Sequence, residues 1–190
     1  RAGRVGGLAE VRARMVELEE VLPGAMMCCL QDQLKRIDGL QTEIDQLEHR
    51  IAAWQKQDAA CCAIAAVPGI GKFTATALVA TMGDAATFRS GREFAAFLGL
   101  VPRQSGTGGK VRLGSISKRG DPYLRTLLIH GARSVLYHTK APTAWASAIK
   151  ERRPANVAAV AIASKMARTA WAILARGEAY QRDHISVRPA

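Results

Sequence analysis

Between residues 30 and 54 the apolar side chains fall in heptads, with Leu30, Ile37, Ile44 and Ile51 at one seam position and Leu40, Leu47 and Trp54 at the other. Gln33 is the single break. A repeat of this period, held over this distance, calls for a helix. Isoleucine at the first seam position with leucine at the second favours a two-stranded parallel coiled coil, flanked here by Lys35, Glu43, Glu48 and Arg50. The same stripe would also suit an amphipathic helix folded back on its own domain. Gly39 weakens the helix but lies off the seam. The expectation is a linker helix over 1–57 that joins two or more copies of the chain, a compact domain over 58–180 and a tail over 181–190.

After Trp54 the pattern changes to short, alanine-rich segments punctuated by glycine. Helical spacing predicts helices over 58–66, 72–82, 92–98, 123–138 and 154–176. Pro154 suits a first turn and Gly177 a stop. Pro142 interrupts the pattern between the last two. Residues 99–117 hold few apolar side chains and several glycines, which reads as a loop with room for a short β-hairpin around Gly108-Gly109. The fold class is therefore mainly α: a long coiled-coil helix, then a compact helical domain, with at most one small β element.

Nearly half of the 190 residues are apolar, enough for one ordinary core and an arm. The net charge of +11 is unevenly placed: residues 88–153 carry thirteen Lys and Arg against Glu93, Asp121 and Glu151. A positive field so concentrated repels itself and attracts polyanions, so nucleic acid is the expected partner, against the alternative of a solubility surface. No apolar run approaches a bilayer span and no basic-then-apolar leader opens the chain, so the expectation is a soluble, intracellular protein without a membrane partner. The four cysteines form two adjacent pairs, Cys28-Cys29 and Cys61-Cys62, without Cys-x-x-Cys metal spacing. They read as reduced, mostly buried small hydrophobes, and no metal site is expected. The chain begins at Arg1 rather than Met, which suggests a fragment.

Two stretches carry chemistry. In Val67-Pro68-Gly69-Ile70-Gly71-Lys72 an apolar residue between two glycines links two short helices, the pattern of a helix-hairpin-helix. The N–H groups at the start of the second helix favour an anion, and a DNA phosphate fits, with Gly69, Gly71 and Lys72 as its contacts. A plain helix–helix turn is the alternative. A phosphate-binding P-loop is excluded, because it would need glycine in place of Ala66 and Ser or Thr in place of Phe73. On this reading Gly69→Val weakens binding to unrelated duplexes equally. Downstream, Ser105 lies in a glycine-rich segment among Arg103, Lys110, Arg112, Lys118, Arg119 and Arg125, with Ser115 and Ser117 at similar spacing. A hydroxyl among cations suits attack on a phosphorus, although serines in such segments more often form turns. His130 and His138, eight apart on one helix, are weaker candidates for a general base. Lys165 and Arg168 share a helical face and could touch phosphate together.

Taken in order, Ala66-Val67-Pro68-Gly69-Ile70-Gly71, the run Phe94-Ala95-Ala96-Phe97-Leu98-Gly99-Leu100-Val101-Pro102-Arg103-Gln104-Ser105-Gly106 and the run Ile116-Ser117-Lys118-Arg119-Gly120-Asp121-Pro122-Tyr123-Leu124-Arg125 resemble the C-terminal transposase domain of a bacterial insertion-sequence family. Asn156-Val157-Ala158 with Lys165, Ala167, Arg168 and Trp171 is similar to it too. Members of that family join an N-terminal RuvC-like nuclease domain, through a coiled coil, to a serine-bearing transposase domain, and act as RNA-guided recombinases. The resemblance implies that Ser105 is a nucleophile attacking a DNA phosphodiester in a composite active site, with Arg103, Lys118, Arg119 and Arg125 around the phosphate. It implies DNA and a structured guide RNA as partners and a cytoplasmic, nucleoid-associated location. The family's RuvC-like domain, with its metal-binding carboxylates, has no counterpart in these residues. Magnesium is thus implied for that domain alone, with no cofactor from this chain. The alternative is a non-catalytic helix-hairpin-helix module or a decayed remnant.

Overall fold

The structure is a computed structural model that describes residues 4–107 and 110–182. The chain divides at Arg50/Ile51 into two compact units. The first contains α1 (Arg4–Ala13), α2 (Met15–Val21) and most of α3 (Gly24–Gln57). Pro23 separates α2 from α3: Leu22, which precedes it, is extended (φ −91°, ψ 141°), the conformation a following proline imposes. Arg12 of α1 pairs with Asp38 of α3. Within this unit Met27 is the one buried hydrophobic among the described residues. The heptad positions Ile37, Leu40, Ile44 and Leu47 are 37–53% exposed, so the seam faces solvent in the single chain.

The second unit continues with α4 (Ala59–Ala65), α5 (Lys72–Met82), a 3-10 turn (Ala85–Thr87), α6 (Gly91–Phe97), α7 (Pro122–His138), α8 (Ala144–Arg152) and α9 (Ala155–Arg176). Most of these helices start where the sequence supplies a cap. Asp58 accepts from the Cys61 N–H at 2.7 Å, Asp121 from Tyr123 N–H at 2.7 Å ahead of Pro122, and Ser90 from Glu93 N–H at 3.3 Å. Helix α8 is the element that sequence patterning misses. Thr143 caps it immediately after Pro142, whose proline signal reads only as an interruption.

Helix α9 is the centre of the core and packs against α4, α6, α7, α8 and the 3-10 turn. Its buried face is mostly alanine (Ala158, Ala159, Ala163, Ala167, Ala170) with Ile162, Met166 and Ile173, and small side chains let the neighbouring helices approach closely. By length and composition alone α9 could cross a bilayer, contrary to the expectation that no segment approaches that length. Its apolar face is instead covered by the other helices. Phe94, fully buried, meets Phe88 edge to face with centroids 5.1 Å apart. The cysteines also differ from expectation: Cys28, Cys29 and Cys62 are exposed and Cys61 alone is buried, because both cysteines of the first pair lie on uncovered faces of α3. Burial, followed by Asp58 beside it, pushes the Cys61 thiol up to about 11.

The hairpin ahead of α5 and helix α7 meet through two glycines. A Cβ at Gly69, which has φ +88°, would lie 2.7 Å from the Gly131 carbonyl oxygen, and one at Gly131 would lie 2.0 Å from the Gly69 oxygen. In an open helix such as α3 at Gly39, where an added Cβ meets nothing, glycine to alanine gains about 1 kcal/mol. Gly39→Ala is therefore expected to raise the melting temperature. Gly131→Ala is expected to lower it by well over 5 °C, the cost of pushing two backbones apart. Equal shifts in the same direction by circular dichroism would refute the packing argument.

The two strands β1 (Pro102–Thr107) and β2 (Lys110–Ile116) form an antiparallel ribbon, the small β element that the glycine-rich segment left room for. The turn expected at Gly108-Gly109 and the tail from residue 183 lie outside the described residues.

Candidate nucleic-acid interface and serine site

The Val67–Gly71 hairpin is built from the inside. Val67 and Ile70 are buried, and the Ile70 N–H donates to the Val67 carbonyl at 2.9 Å, closing the turn. Gly71 is the N-cap of α5 and supplies no side-chain cap. The first N–H groups of α5 therefore lack an intrahelical acceptor and carry the positive end of the helix dipole. They border a groove of about 540 Å³ that has Gly71, Lys72 and Thr74 on one side and His130 and Ser134 of α7 on the other. His130 thus joins the hairpin, whereas His138 is exposed at the end of α7.

The glycines of this motif divide their roles. Gly69 is held by its contact with Gly131, so Gly69→Val would test packing before it tested phosphate binding. Gly71 is the informative position, because a Cβ there meets nothing within 4 Å and its φ of −83° suits any residue. Gly71→Asp adds a favoured N-cap and a negative charge. It is expected to keep or raise the melting temperature while weakening binding to unrelated duplexes by a similar factor. Unchanged duplex binding would remove the hairpin from the interface.

On the ribbon, Ser105 pairs with Arg112 and Gln104 with Leu113. Alternate residues share a face, so Ser105 stands with Arg112, while Gln104 and Leu113 occupy the other side. A Cβ on Gly114 would lie 4.0 Å from the Arg103 Cβ, which puts Arg103 on the Ser105 side. Ser105, Gly106, Lys110 and Arg112 line one shallow cavity of about 360 Å³. All four are exposed, and the ribbon makes its extensive packing contacts only between its own strands. The structure therefore brings Ser105, Lys110, Arg112 and Arg103 together.

The remaining residues of the cationic segment are at the base of the ribbon. The Ser117 N–H donates to Val101 at 2.8 Å, the Lys118 N–H to Gly99 at 3.2 Å, and the Ser117 hydroxyl accepts from Arg119 N–H at 3.4 Å. Lys118 is the one described non-glycine residue with positive φ, +54°. Arg103 donates to the Ser117 carbonyl at 3.2 Å, and Arg125 reaches back 27 residues to the Leu98 carbonyl at 3.1 Å. These guanidinium groups therefore hold the base of the ribbon as well as adding charge. Ser115 is exposed on β2, and Ser117 is partly buried.

Lys165 and Arg168 lie elsewhere, on α9. The Lys165 ammonium sits 4.5 Å over the Trp145 ring, and Arg168 Nε donates to the Ser164 carbonyl at 3.3 Å. Partial burial, followed by Arg168, lowers the Lys165 pKa. Partial burial, followed by Arg92, lowers that of Arg168. Arg92 and Trp145 carried no signal in the sequence, being far from α9 along the chain.

The hairpin, the ribbon and its base all fall within one stretch that matches a known family. The match is to the transposase IS116/IS110/IS902 family, over residues 61–147. The chain is also 47% identical over 185 residues to a probable family 20 transposase of Pseudomonas aeruginosa, covering 95% of this chain and 55% of that protein. It is 43% identical over 157 residues to the transposase for insertion sequence element IS1111A of Coxiella burnetii, covering 80% of this chain and 42% of that one. With the transposase for insertion sequence element IS1328 of Yersinia enterocolitica it shares 34% identity over 181 residues, covering 93% and 54%. The chain is thus similar to insertion-sequence transposases and spans about half the length of the curated relatives it matches.

Proposed function

We propose that this chain is the DNA-binding part of an insertion-sequence transposase and contributes a serine nucleophile to strand transfer. The observation that carries the reading is the exposed ribbon face on which Ser105 stands opposite Arg112 and beside Lys110, inside the family-matched stretch. In the proposed step Ser105 Oγ forms a bond to the phosphorus of a DNA phosphodiester and one bridging oxygen leaves. The hydroxyl proton is lost and the leaving strand end gains one, so a phosphoserine ester replaces the original ester. Attack by a second strand end reverses the step with a new partner. Lys110, Arg112 and Arg103 stabilise the charge that builds on the non-bridging oxygens. The α5 N-terminus beside Gly71, with Lys72, grips a neighbouring phosphate as a helix-hairpin-helix does. Lys118 and Arg119 extend the positive surface at the base of the ribbon.

Among the described residues no group of three His, Cys, Asp or Glu side chains converges, and no step is routed through a divalent ion. A structured guide RNA and a homodimer through the exposed seam of α3 complete the proposed assembly, which would work in the bacterial cytoplasm at the nucleoid.

The test uses duplexes in which sulfur replaces a bridging oxygen. Sulfur leaves readily, so the nucleophile suffices without an acid to assist departure. The expected result is a DNA–protein adduct that survives denaturation, together with release of a free thiol. Salt-dependent duplex binding with no adduct would leave the non-catalytic binding module as the reading.

A further inference from the structure

The outer side of α9 carries a charge arrangement that folding alone does not explain. Gly91, at the start of α6, is seated on α9, where an added Cβ would lie 3.0 Å from both the Cα and the carbonyl oxygen of Arg168. That contact brings Arg92, the next residue, beside Arg168. One turn earlier on α9, Lys165 covers the Trp145 ring of α8 at 4.5 Å. Three cations from two helices therefore converge against an aromatic wall.

No carboxylate offsets them. Arg92, Lys165 and Arg168 form no ion pair with a carboxylate among the described residues. Glu93, the nearest acid in sequence, is turned to its own backbone, where Oε2 accepts the Arg89 N–H at 2.7 Å. Both α9 cations have pKa values pulled down, first by burial and then by a neighbouring positive charge. Like charges gathered without a counter-ion oppose folding, and a bound polyanion relieves that opposition.

We propose that Arg92, Lys165 and Arg168 form a second seat for the DNA backbone, distinct from the ribbon and rigid because it stands on core helices. The proposal rests on the reading of the chain as DNA-binding and adds a site to it. Its ligand is the phosphodiester group of a duplex, held by charge and without sequence preference. Trp145 acts as a positioning residue that fixes the Lys165 ammonium.

The test measures affinity for a random-sequence duplex across a sodium chloride series for the wild-type chain and for Arg92→Gln, Lys165→Gln and Arg168→Gln. Arg36→Gln, at an exposed arginine of α3 outside the cationic segment, is the control. Each seat variant is expected to reduce the slope of log affinity against log salt by about one, with a melting temperature unchanged or raised because a repulsion is removed. The control keeps the wild-type slope. Wild-type slopes in all three seat variants overturn the seat while leaving the DNA-binding reading intact. A fall in melting temperature with no change in slope makes the cluster structural. A slope lost only with a structured RNA, duplex binding being unaffected, also overturns the proposal. If the wild-type chain shows no salt-dependent duplex binding, the broader reading fails as well, and separately.

Discussion

Ser105→Ala is expected to abolish the denaturation-resistant adduct, reducing its rate of formation by at least about three orders of magnitude, as the loss of a covalent nucleophile does. The fold should not register the change. Ser105 is exposed, its hydroxyl makes no hydrogen bond among the described residues, and its strand partner Arg112 pairs through backbone. A melting temperature within about 1 °C of wild type is therefore part of the expectation, and it separates lost chemistry from lost structure. Ser105→Cys retains a nucleophile and should retain some adduct. An adduct that persists in Ser105→Ala and disappears in Ser115→Ala would move the chemistry one strand over. Ser117 is the weaker competitor on geometry, since its hydroxyl already accepts the Arg119 N–H and its backbone is bonded to Val101.

Gly120→Ala is expected to have the largest effect on folding. Gly120 has φ +106°, and a Cβ there would lie 1.8 Å from the Phe97 carbonyl oxygen and 2.9 Å from its carbon. Both obstacles are backbone, so no side chain can swing aside. The opposing surface is equally tight, with a Cβ on Gly99 falling 2.1 Å from the Arg119 oxygen. The end of α6 and the entry to α7 thus interlock glycine to backbone on both sides. A cost above about 4 kcal/mol follows, a large part of the roughly 5–15 kcal/mol that holds a domain folded. Circular dichroism should show a melting transition lowered by more than 10 °C or lost altogether. A transition within 2 °C of wild type would mean that the segment relaxes freely, and the interlock would be wrong.

These two glycines also show where reading the sequence reaches its limit. Local signals were dependable: Pro154 opens a helix, Gly177 stops one, and the heptads mark a helix that runs from Gly24 to Gln57. The ribbon could be seen only as room for a hairpin. Its described residues from Pro102 to Gly106 are exposed on both faces, and apolar alternation marks a strand only when one face is covered. Glycines were legible as special but not by role. Gly69 reads as a positive torsion that lets another backbone approach and as a phosphate contact; the structure shows the positive φ and supplies the backbone, that of Gly131, 62 positions away. The same distance hid Arg92 from Lys165 and Arg168. Ser105 and its cations were legible because they are neighbours in sequence, and pairing Ser105 with Arg112 needed the strand register.

Among the described residues the ribbon contributes nothing to the buried core, and this has consequences for how such a chain ages. On the proposed function, its exposed side chains such as Ser105, Lys110 and Arg112 can change with little folding penalty, so target preference and chemistry can drift while the helical body stays the same. Damage there is equally silent. On the proposed function, a copy that has lost Ser105 would still fold and carry its positive surface to DNA, where it would compete with active copies for the same sites. On that reading, a gene inactivated at the ribbon would act as a repressor of its own relatives, whereas one inactivated at Gly120 would yield a destabilised protein.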